Sequence, residues 1–198
     1  MKNFQLIPQI HSFEDFESFA KEFQVGESDL ILTNEIIYES SMKAVNLPAA
    51  YLFQERYGTG EPNDGMVNAI LEAMPREGIA RVIAIGGGTI IDISKFLIFK
   101  DTKTVADLYD NKDRLKRDKQ LVIVPTTAGT GSEVTNISIL EFREKQVKIG
   151  LADDRLCADY AVLIPSLLKG LPFRFFMASA IDALIHAVES YVSPKSNP

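Results

Sequence analysis

The chain has 198 residues, of which 46% are hydrophobic and 24% are charged, an ordinary composition for a globular protein. That length suits one large domain or two small ones with a real core, which excludes disordered, collagen-like and disulfide-stapled classes. The formal net charge of −6 excludes a general nucleic-acid binder, because such a protein needs a basic face to neutralise phosphates.

The first third of the chain predicts one helix and two strands. Ser12 and Asp15 form a helix-start signature, and residues 13–23 then place aromatic side chains at helical spacing. Such a stripe is far more often core than a binding face. Residues 29–34 predict a buried strand that ends in a polar residue, and residues 50–54 predict a second strand.

The middle of the chain predicts strands that alternate with helices. A helix opens at residues 62–64 and ends at Pro75. A third strand over residues 81–85 runs into three glycines at 86–88, and a helix follows over residues 89–99.

A charged segment, a fourth strand and a hairpin come next. Residues 100–120 mix both charge signs, so their basic cluster, which includes Arg114 and Arg117, is expected to be a solvated surface. Residues 121–124 predict the fourth strand, and residues 137–151 predict a β-hairpin.

The last segment predicts a long helix that is apolar nearly all round. Pro172 precedes it, it continues to about Val192, and Pro194 stops it. Such a helix needs burial on every side. We therefore expect one domain over residues 1–171 and the start of a second, truncated domain over residues 172–198.

Strands that alternate with helices predict an α/β fold with a parallel sheet. Ligands of such sheets bind outside the carboxyl ends of the strands. Asn34, the glycines at 86–88 and the loop over residues 126–132 all follow strands, so they are expected at that edge.

The strand–glycine–helix unit is the first candidate site. Glycines let the phosphates of a ligand approach the backbone, and the start of the next helix binds the anion. The motif is not the dinucleotide fingerprint G-x-G-x-x-G, and a tight structural turn is the alternative. Asp92 is predicted in the first turn of the helix, where it contacts the ligand or complements the helix dipole.

The loop over residues 126–132 is the second candidate, and a flexible connector is its alternative. It offers hydroxyl groups to ribose and phosphate oxygens from Thr126, Thr127, Thr130 and Ser132.

Asp182 and His186 form the third candidate site. They are four residues apart on one helix, so their side chains can bind one divalent metal or simply form a hydrogen bond with each other.

Together these motifs resemble the signatures of the iron-containing (group III) alcohol dehydrogenases. Residues 86–95 resemble that family's Gly-Gly-Gly-Ser-x-x-Asp-x-x-Lys stretch, residues 125–133 its second signature, and residues 182–191 its metal-binding helix. Residues 31–35 and 170–173 narrow the resemblance to a member that acts on a hydroxy acid.

The resemblance implies a Rossmann-like, dehydroquinate synthase-like domain followed by the first helix of an all-helical domain. It implies NAD as cofactor and a divalent metal, iron or zinc, held by one Asp and three His. Asp182 and His186 match the first two metal ligands. The residues that match the nucleotide site are Gly87, Gly88, Thr89, Asp92, Thr126, Thr127, Ser132 and Lys148.

Asn34 departs from the family pattern, since many relatives carry an Asp there. An Asp would repel the 2′-phosphate of NADP, and Asn34 loses that repulsion although Glu35 partly restores it. We therefore expect NAD as the cofactor, with NADP less firmly excluded.

The predicted function is NAD-dependent oxidation of a small primary alcohol by a homo-oligomeric enzyme. Because two of the family's histidine ligands are missing, the 198-residue chain alone is expected to be inactive. Two alternatives stay open: a non-catalytic nucleotide-binding or assembly module, and a glycerol dehydrogenase-like relative.

A cytoplasmic location is expected, without nucleic-acid or membrane partners. Cys157 is the only cysteine, which favours a reducing compartment. The N-terminus lacks a secretory apolar region, and no uninterrupted apolar run approaches the roughly 18 residues of a membrane helix.

Overall fold

The computed structural model describes residues 6–75, 77–100, 102–112, 115–194 and 196. The strands are β1 (Gln9–Ser12), β2 (Asp29–Thr33), β3 (Ala50–Phe53), β4 (Arg81–Gly86), β5 (Gln120–Pro125), β6 (Ile137–Phe142), β7 (Val147–Ala152) and β8 (Tyr160–Leu163). The α-helices are α1 (Phe16–Glu22), α2 (Glu35–Ile37), α3 (Asp64–Ala73), α4 (Gly88–Ser94), α5 (Val105–Asp110) and α6 (Phe173–Val192).

Six strands form one parallel sheet in the order β1-β8-β5-β4-β2-β3, and β6 pairs with β7 as an antiparallel hairpin. The predicted α/β, Rossmann-like class is therefore confirmed. The chain passes from β2 to β3 on one side and then to β4 on the other side of β2. This reversal makes the crevice between β2 and β4 the place where such sheets bind ligands.

Both faces of the sheet are buried, which explains why its central strands are continuously apolar. Along β4, Val82 and Ala84 point into one core with α3, α4 and the hairpin. Ile83 and Ile85 point into the opposite core, which contains aromatic residues of α1. The predicted aromatic stripe over residues 13–23 is thus core, as expected.

The first helix begins later than the sequence suggested. Ser12 belongs to the edge strand β1, and Asp15 is the N-cap, with its carboxylate accepting from the Ser18 backbone N–H at 2.8 Å. Neither β1 nor β8 was predicted. Each has only four residues.

The predicted helix over residues 89–99 is also shorter in the structure. It ends at Ser94, the buried residues Phe96 to Ile98 continue as turns, and Phe99 forms an isolated antiparallel bridge with Arg117. Their apolar character reflects burial in the core, and the helical spacing beyond Ser94 was misleading.

The segment 100–120 is more ordered than expected. Thr104 caps α5 through a reciprocal capping box with Asp107. Arg117 pairs with the Asp159 carboxylate and donates to the Cys157 carbonyl at 2.8 Å, so the expectation of a solvated residue is wrong there. Arg114 lies outside the described residues.

Helix α6 has the predicted bounds, and none of its residues is buried. It is long and apolar enough to cross a membrane by length and composition, with a mean hydropathy of 1.3. Arg174, Asp182 and Glu189 interrupt its apolar residues, which is why a search for uninterrupted runs passes it over. Core helices of soluble proteins meet the same criterion.

Candidate nucleotide site

The glycine turn and the hydroxyl-rich loop lie side by side, as the sequence predicted. They follow the neighbouring strands β4 and β5, and the Thr126 N–H donates to the Gly86 carbonyl at 3.0 Å. The loop over residues 126–132 is therefore joined to the glycine turn at its first residue.

The structural need for glycine differs among the three positions of the turn. A Cβ on Gly86 would lie 2.9 Å from Ile90 Cβ, so packing requires glycine at this position. Gly87 has a φ of −83°, which any residue adopts, and a Cβ there would lie 3.5 Å from Thr127 Cγ2, an ordinary contact. A Cβ on Gly88 would lie 3.9 Å from Thr130 Cγ2. Neither packing nor conformation demands glycine at 87 or 88, so the fold alone does not account for these two glycines.

The hydroxyl groups of the loop are partly engaged with one another. Thr130 Oγ1 and Ser132 Oγ are 2.8 Å apart, and Gly131 turns the chain with a φ of +67°. Thr126 is buried, whereas Thr127 is half-buried and faces Gly87. Thr89, predicted at the phosphate site, donates its hydroxyl to the Gly60 carbonyl at 3.1 Å.

Helix α6 approaches the same loop. A Cβ on Gly129 would lie 2.9 Å from the Ser179 carbonyl oxygen and 3.1 Å from its Cα. Only a glycine at 129 therefore permits this close backbone contact.

A carboxylate that the sequence did not reveal lies beside the carboxyl end of β2. Glu55, which follows β3, accepts from the Asn34 side-chain amide at 2.9 Å and from the Glu35 backbone N–H at 2.6 Å. Glu35, expected to supply negative charge here, instead pairs with Arg56, whose Nε lies 2.7 Å from its carboxylate. The Cζ atom of Arg56 also lies 4.7 Å from the centre of the Phe53 ring, a cation–π contact. Glu55 therefore provides the charge beside Asn34.

Asp92 occupies a different place from the one predicted. It lies in the second turn of α4, so it does not complement the dipole of the first turn. Its carboxylate accepts from the Ile139 N–H of β6 at 3.3 Å, and burial raises its pKa.

Asp92 and Lys148 line one pocket of about 270 Å³, and Lys148 forms an ion pair with Glu61. The hydrogen bond with Glu61 raises the pKa of Lys148.

Asp182 and His186 share one face of α6, as predicted. The Asp182 Oδ1 and His186 Nε2 atoms are 3.7 Å apart, and their side chains are 44% and 53% exposed. Two ligand atoms each about 2.1 Å from one ion would be about 3.4 Å apart, so this pair fits one divalent metal. Among the described residues, no group of three or more potential ligands is assembled.

The parallel sheet, its switch point and the adjoining glycine loop define an α/β nucleotide-binding fold. Comparison with known proteins makes the class more specific. A profile of iron-containing alcohol dehydrogenases matches residues 8–165. The chain belongs to the iron-containing alcohol dehydrogenase family.

Two relatives illustrate the match. The 4-hydroxybutyrate dehydrogenase of Clostridium kluyveri is 49% identical over 198 residues, which is 100% of this chain and 53% of that protein. Long-chain-alcohol dehydrogenase 1 of Geobacillus thermodenitrificans is 34% identical over 181 residues, covering 85% of this chain and 45% of that protein. The chain thus spans about half the length of these relatives.

Solved structures share the fold along the chain, including the part that contains α6. Sulfoacetaldehyde reductase of Bifidobacterium kashiwanohense, in complex with NAD+, has a TM-score of 0.84 at 21% identity and covers 100% of this chain and 55% of that one. An iron-containing alcohol dehydrogenase of Thermotoga maritima has a TM-score of 0.79 at 28% identity, and the match covers 99% of this chain and 56% of that one.

Proposed function

We propose that this chain forms the NAD-binding part of a metal-dependent alcohol dehydrogenase. Residues 1–171 would be the dinucleotide-binding domain, and residues 172–198 would begin a helical metal and substrate domain. The observation that carries the proposal is the adjacency of Gly87 and Gly88 to the Thr127 and Thr130 side chains at the sheet edge.

The chain's own residues suit a dinucleotide. The backbone at Gly87 and Gly88 would receive the pyrophosphate, because neither residue carries a side chain of its own that would keep a phosphate from the backbone amides. Hydroxyl groups of Thr127 and Ser132 would donate to phosphate or ribose oxygens. The carboxylate of Glu55 would accept from the adenosine ribose, which favours NAD over NADP.

Asp92 and Lys148 have a less direct place in this proposal. They line the pocket beside the hairpin, and the Lys148 ammonium would reach a nucleotide in that pocket only by leaving Glu61. Thr89 would have a supporting role, since its hydroxyl already bonds to the Gly60 carbonyl. Thr126 would also have a supporting role, since its backbone N–H joins the hydroxyl-rich loop to Gly86.

A divalent metal, iron or zinc, would be held by Asp182 and His186 together with ligands outside the described residues. When bound, such an ion would supply polarisation of an alcohol or carbonyl oxygen, and the nicotinamide would supply the hydride acceptor or donor. Asp182 would contribute a carboxylate oxygen and His186 its Nε2. Two exposed donors hold an ion weakly, so we expect negligible turnover from the 198-residue chain alone.

We propose 4-hydroxybutyrate and succinate semialdehyde as the substrate pair. The 49% identity to a 4-hydroxybutyrate dehydrogenase over all 198 residues supports this choice. We further propose that the complete enzyme is a cytoplasmic homo-oligomer, since the apolar residues of α6 need a covering surface.

A non-catalytic nucleotide-binding module is the second candidate function. The observation that favours it is that the described residues assemble no group of three or more metal ligands. In that case a His186 replacement would leave every activity of the complete protein unchanged.

Calorimetric titration of the folded chain with NADH tests the nucleotide site. Saturable binding at one site per chain is the expected result, and a folded chain without binding contradicts the proposal. An assay with 4-hydroxybutyrate, NAD and added Zn²⁺ or Fe²⁺ tests the rest: robust turnover by the pure chain would contradict the expected inactivity.

A further inference from the structure

Lys95 is a fully buried cation that the proposed cofactor site does not use directly. It follows the last residue of α4, and its relative exposure is 0%. The ammonium donates to the Ile137 carbonyl at 2.6 Å and to Thr135 Oγ1 at 3.1 Å. A buried ammonium needs such partners, because its removal from water is costly.

Thr135 connects Lys95 to the hydroxyl-rich loop. Thr135 Oγ1 donates to the Ser132 carbonyl at 3.3 Å, and Ser132 Oγ lies 2.8 Å from Thr130 Oγ1. The Lys95 ammonium is thus connected through Thr135 to the backbone of Ser132, whose side-chain hydroxyl pairs with that of Thr130.

Helix α4 therefore holds the loop at two places. At its start, Gly87 and Gly88 lie against the Thr127 and Thr130 side chains. At its end, Lys95 holds Thr135. Because α4 is short, a displacement of either end would move the loop relative to the glycine turn.

The charge of Lys95 is balanced from several elements. Burial lowers the pKa of Lys95, while the carboxylates of Asp92 on α4 and of Glu133 act in the opposite direction. Asp92 in turn accepts from Ile139 of the hairpin. The ammonium is thus held between α4 and the segment that leads from the hydroxyl-rich loop into β6.

We propose that Lys95 is a positioning residue of the nucleotide site: through Thr135 it fixes the loop over residues 126–135 against the glycine turn, and so sets the affinity for a dinucleotide. The inference rests on the proposed function. Lys95 itself touches no ligand, because it is completely buried.

The test compares Lys95→Met with Tyr109→Phe in the 198-residue chain. Methionine keeps the length of the side chain and removes the donors. Tyr109→Phe is the matched control, because the Tyr109 hydroxyl also anchors the hairpin, at the Ile149 carbonyl at 3.0 Å, away from the loop. Thr135→Val is a milder variant that removes the hydroxyl linking Lys95 to the Ser132 carbonyl but leaves the bond from Lys95 to the Ile137 carbonyl, and it serves if Lys95→Met fails to fold.

Two measurements decide the outcome. The NADH dissociation constant should rise by about tenfold in Lys95→Met, the equivalent of one charge-assisted hydrogen bond, and by less than about twofold in Tyr109→Phe. Without any ligand, hydrogen exchange at the Thr126, Val134 and Thr135 amides should become faster in Lys95→Met and stay unchanged in Tyr109→Phe.

Unchanged loop exchange, or equal losses of affinity in both variants, would overturn the positioning role. A folded wild-type chain that does not bind NADH would instead overturn the proposed function, and the exchange data would still decide whether Lys95 holds the loop.

Discussion

Strand β2 and helix α6 are both apolar, yet their surroundings are opposite. Every residue of β2 is buried, whereas α6 has no buried residue along its 20 positions. Helices and the hairpin cover both faces of the sheet, whereas most residues of α6 are exposed, although its Ser179 lies close to Gly129. The apolar surface of the sheet stabilises this unit by its own packing, and that of α6 contributes only when something else covers it.

The largest expected difference between the two regions is in stability. Ile83→Ala in β4 should lower the free energy of unfolding by about 2–5 kcal/mol, because Ile83 is completely buried and leaves a cavity. Leu184→Ala in α6 should change it by less than about 0.5 kcal/mol, because Leu184 is 64% exposed. Urea unfolding of both variants measures this. Similar losses would show that α6 is packed as firmly as the sheet.

A second comparison separates folding from binding within the glycine turn. Gly86→Ala should lower the free energy of unfolding by about 1–3 kcal/mol, because its Cβ would overlap Ile90. Gly87→Ala should leave stability within about 0.5 kcal/mol, because its methyl group would make only an ordinary contact with Thr127. It should raise the NADH dissociation constant at least about tenfold, since that methyl group would lie between the glycine turn and Thr127, where the pyrophosphate is proposed to bind. Thermal melts and calorimetry distinguish the two effects. Full NADH affinity in Gly87→Ala would contradict the placement of the pyrophosphate.

Glu55→Gln tests which carboxylate discriminates between the cofactors. Removing its charge should shift the ratio of NADPH to NADH affinity by about three- to tenfold toward NADPH, because the 2′-phosphate is no longer repelled. Glu39→Gln is the matched control, since it makes the same change of charge at an exposed pair with Lys43. A shift of equal size in both variants would mean that only net charge matters.

The smallest expected effect concerns α6. His186→Ala should leave the NADH dissociation constant within about twofold and abolish the weak Zn²⁺ binding that two ligands give. His11→Ala is the control, because His11 packs in an aromatic group with Phe23 and Tyr160 and should not bind metal. Titration with Zn²⁺ and with NADH checks both variants. Unchanged Zn²⁺ binding in His186→Ala would remove the metal role.

The predictable parts of the fold are those whose local pattern and tertiary environment agree. The central strands are apolar without interruption because both faces of a parallel sheet are covered. The hairpin and α6 were also found near their observed bounds. Residues 100–120 were less predictable, since Arg117 is ordered by Asp159, a residue far along the chain.

The candidate site was predictable only in its backbone features. Glycines at 87 and 88 were identified from their place between a strand and a helix. Glu55 was missed because its partners, Asn34 and Glu35, lie on the loop after a neighbouring strand, about 20 residues earlier in the chain. Lys95 was part of a recognised motif, yet nothing in the sequence indicated that its ammonium would be buried beneath the loop.

The sequence by itself determined the alternation of strands and helices, the glycine turn and the pairing of Asp182 with His186, because these follow from local spacing and conformation. Only the tertiary structure decided the strand order, the joining of the two loops at Gly86 and Thr126, and the environments of Glu55 and Lys95. These depend on contacts between residues that are distant along the chain, and such contacts are fixed by the packing of the whole sheet.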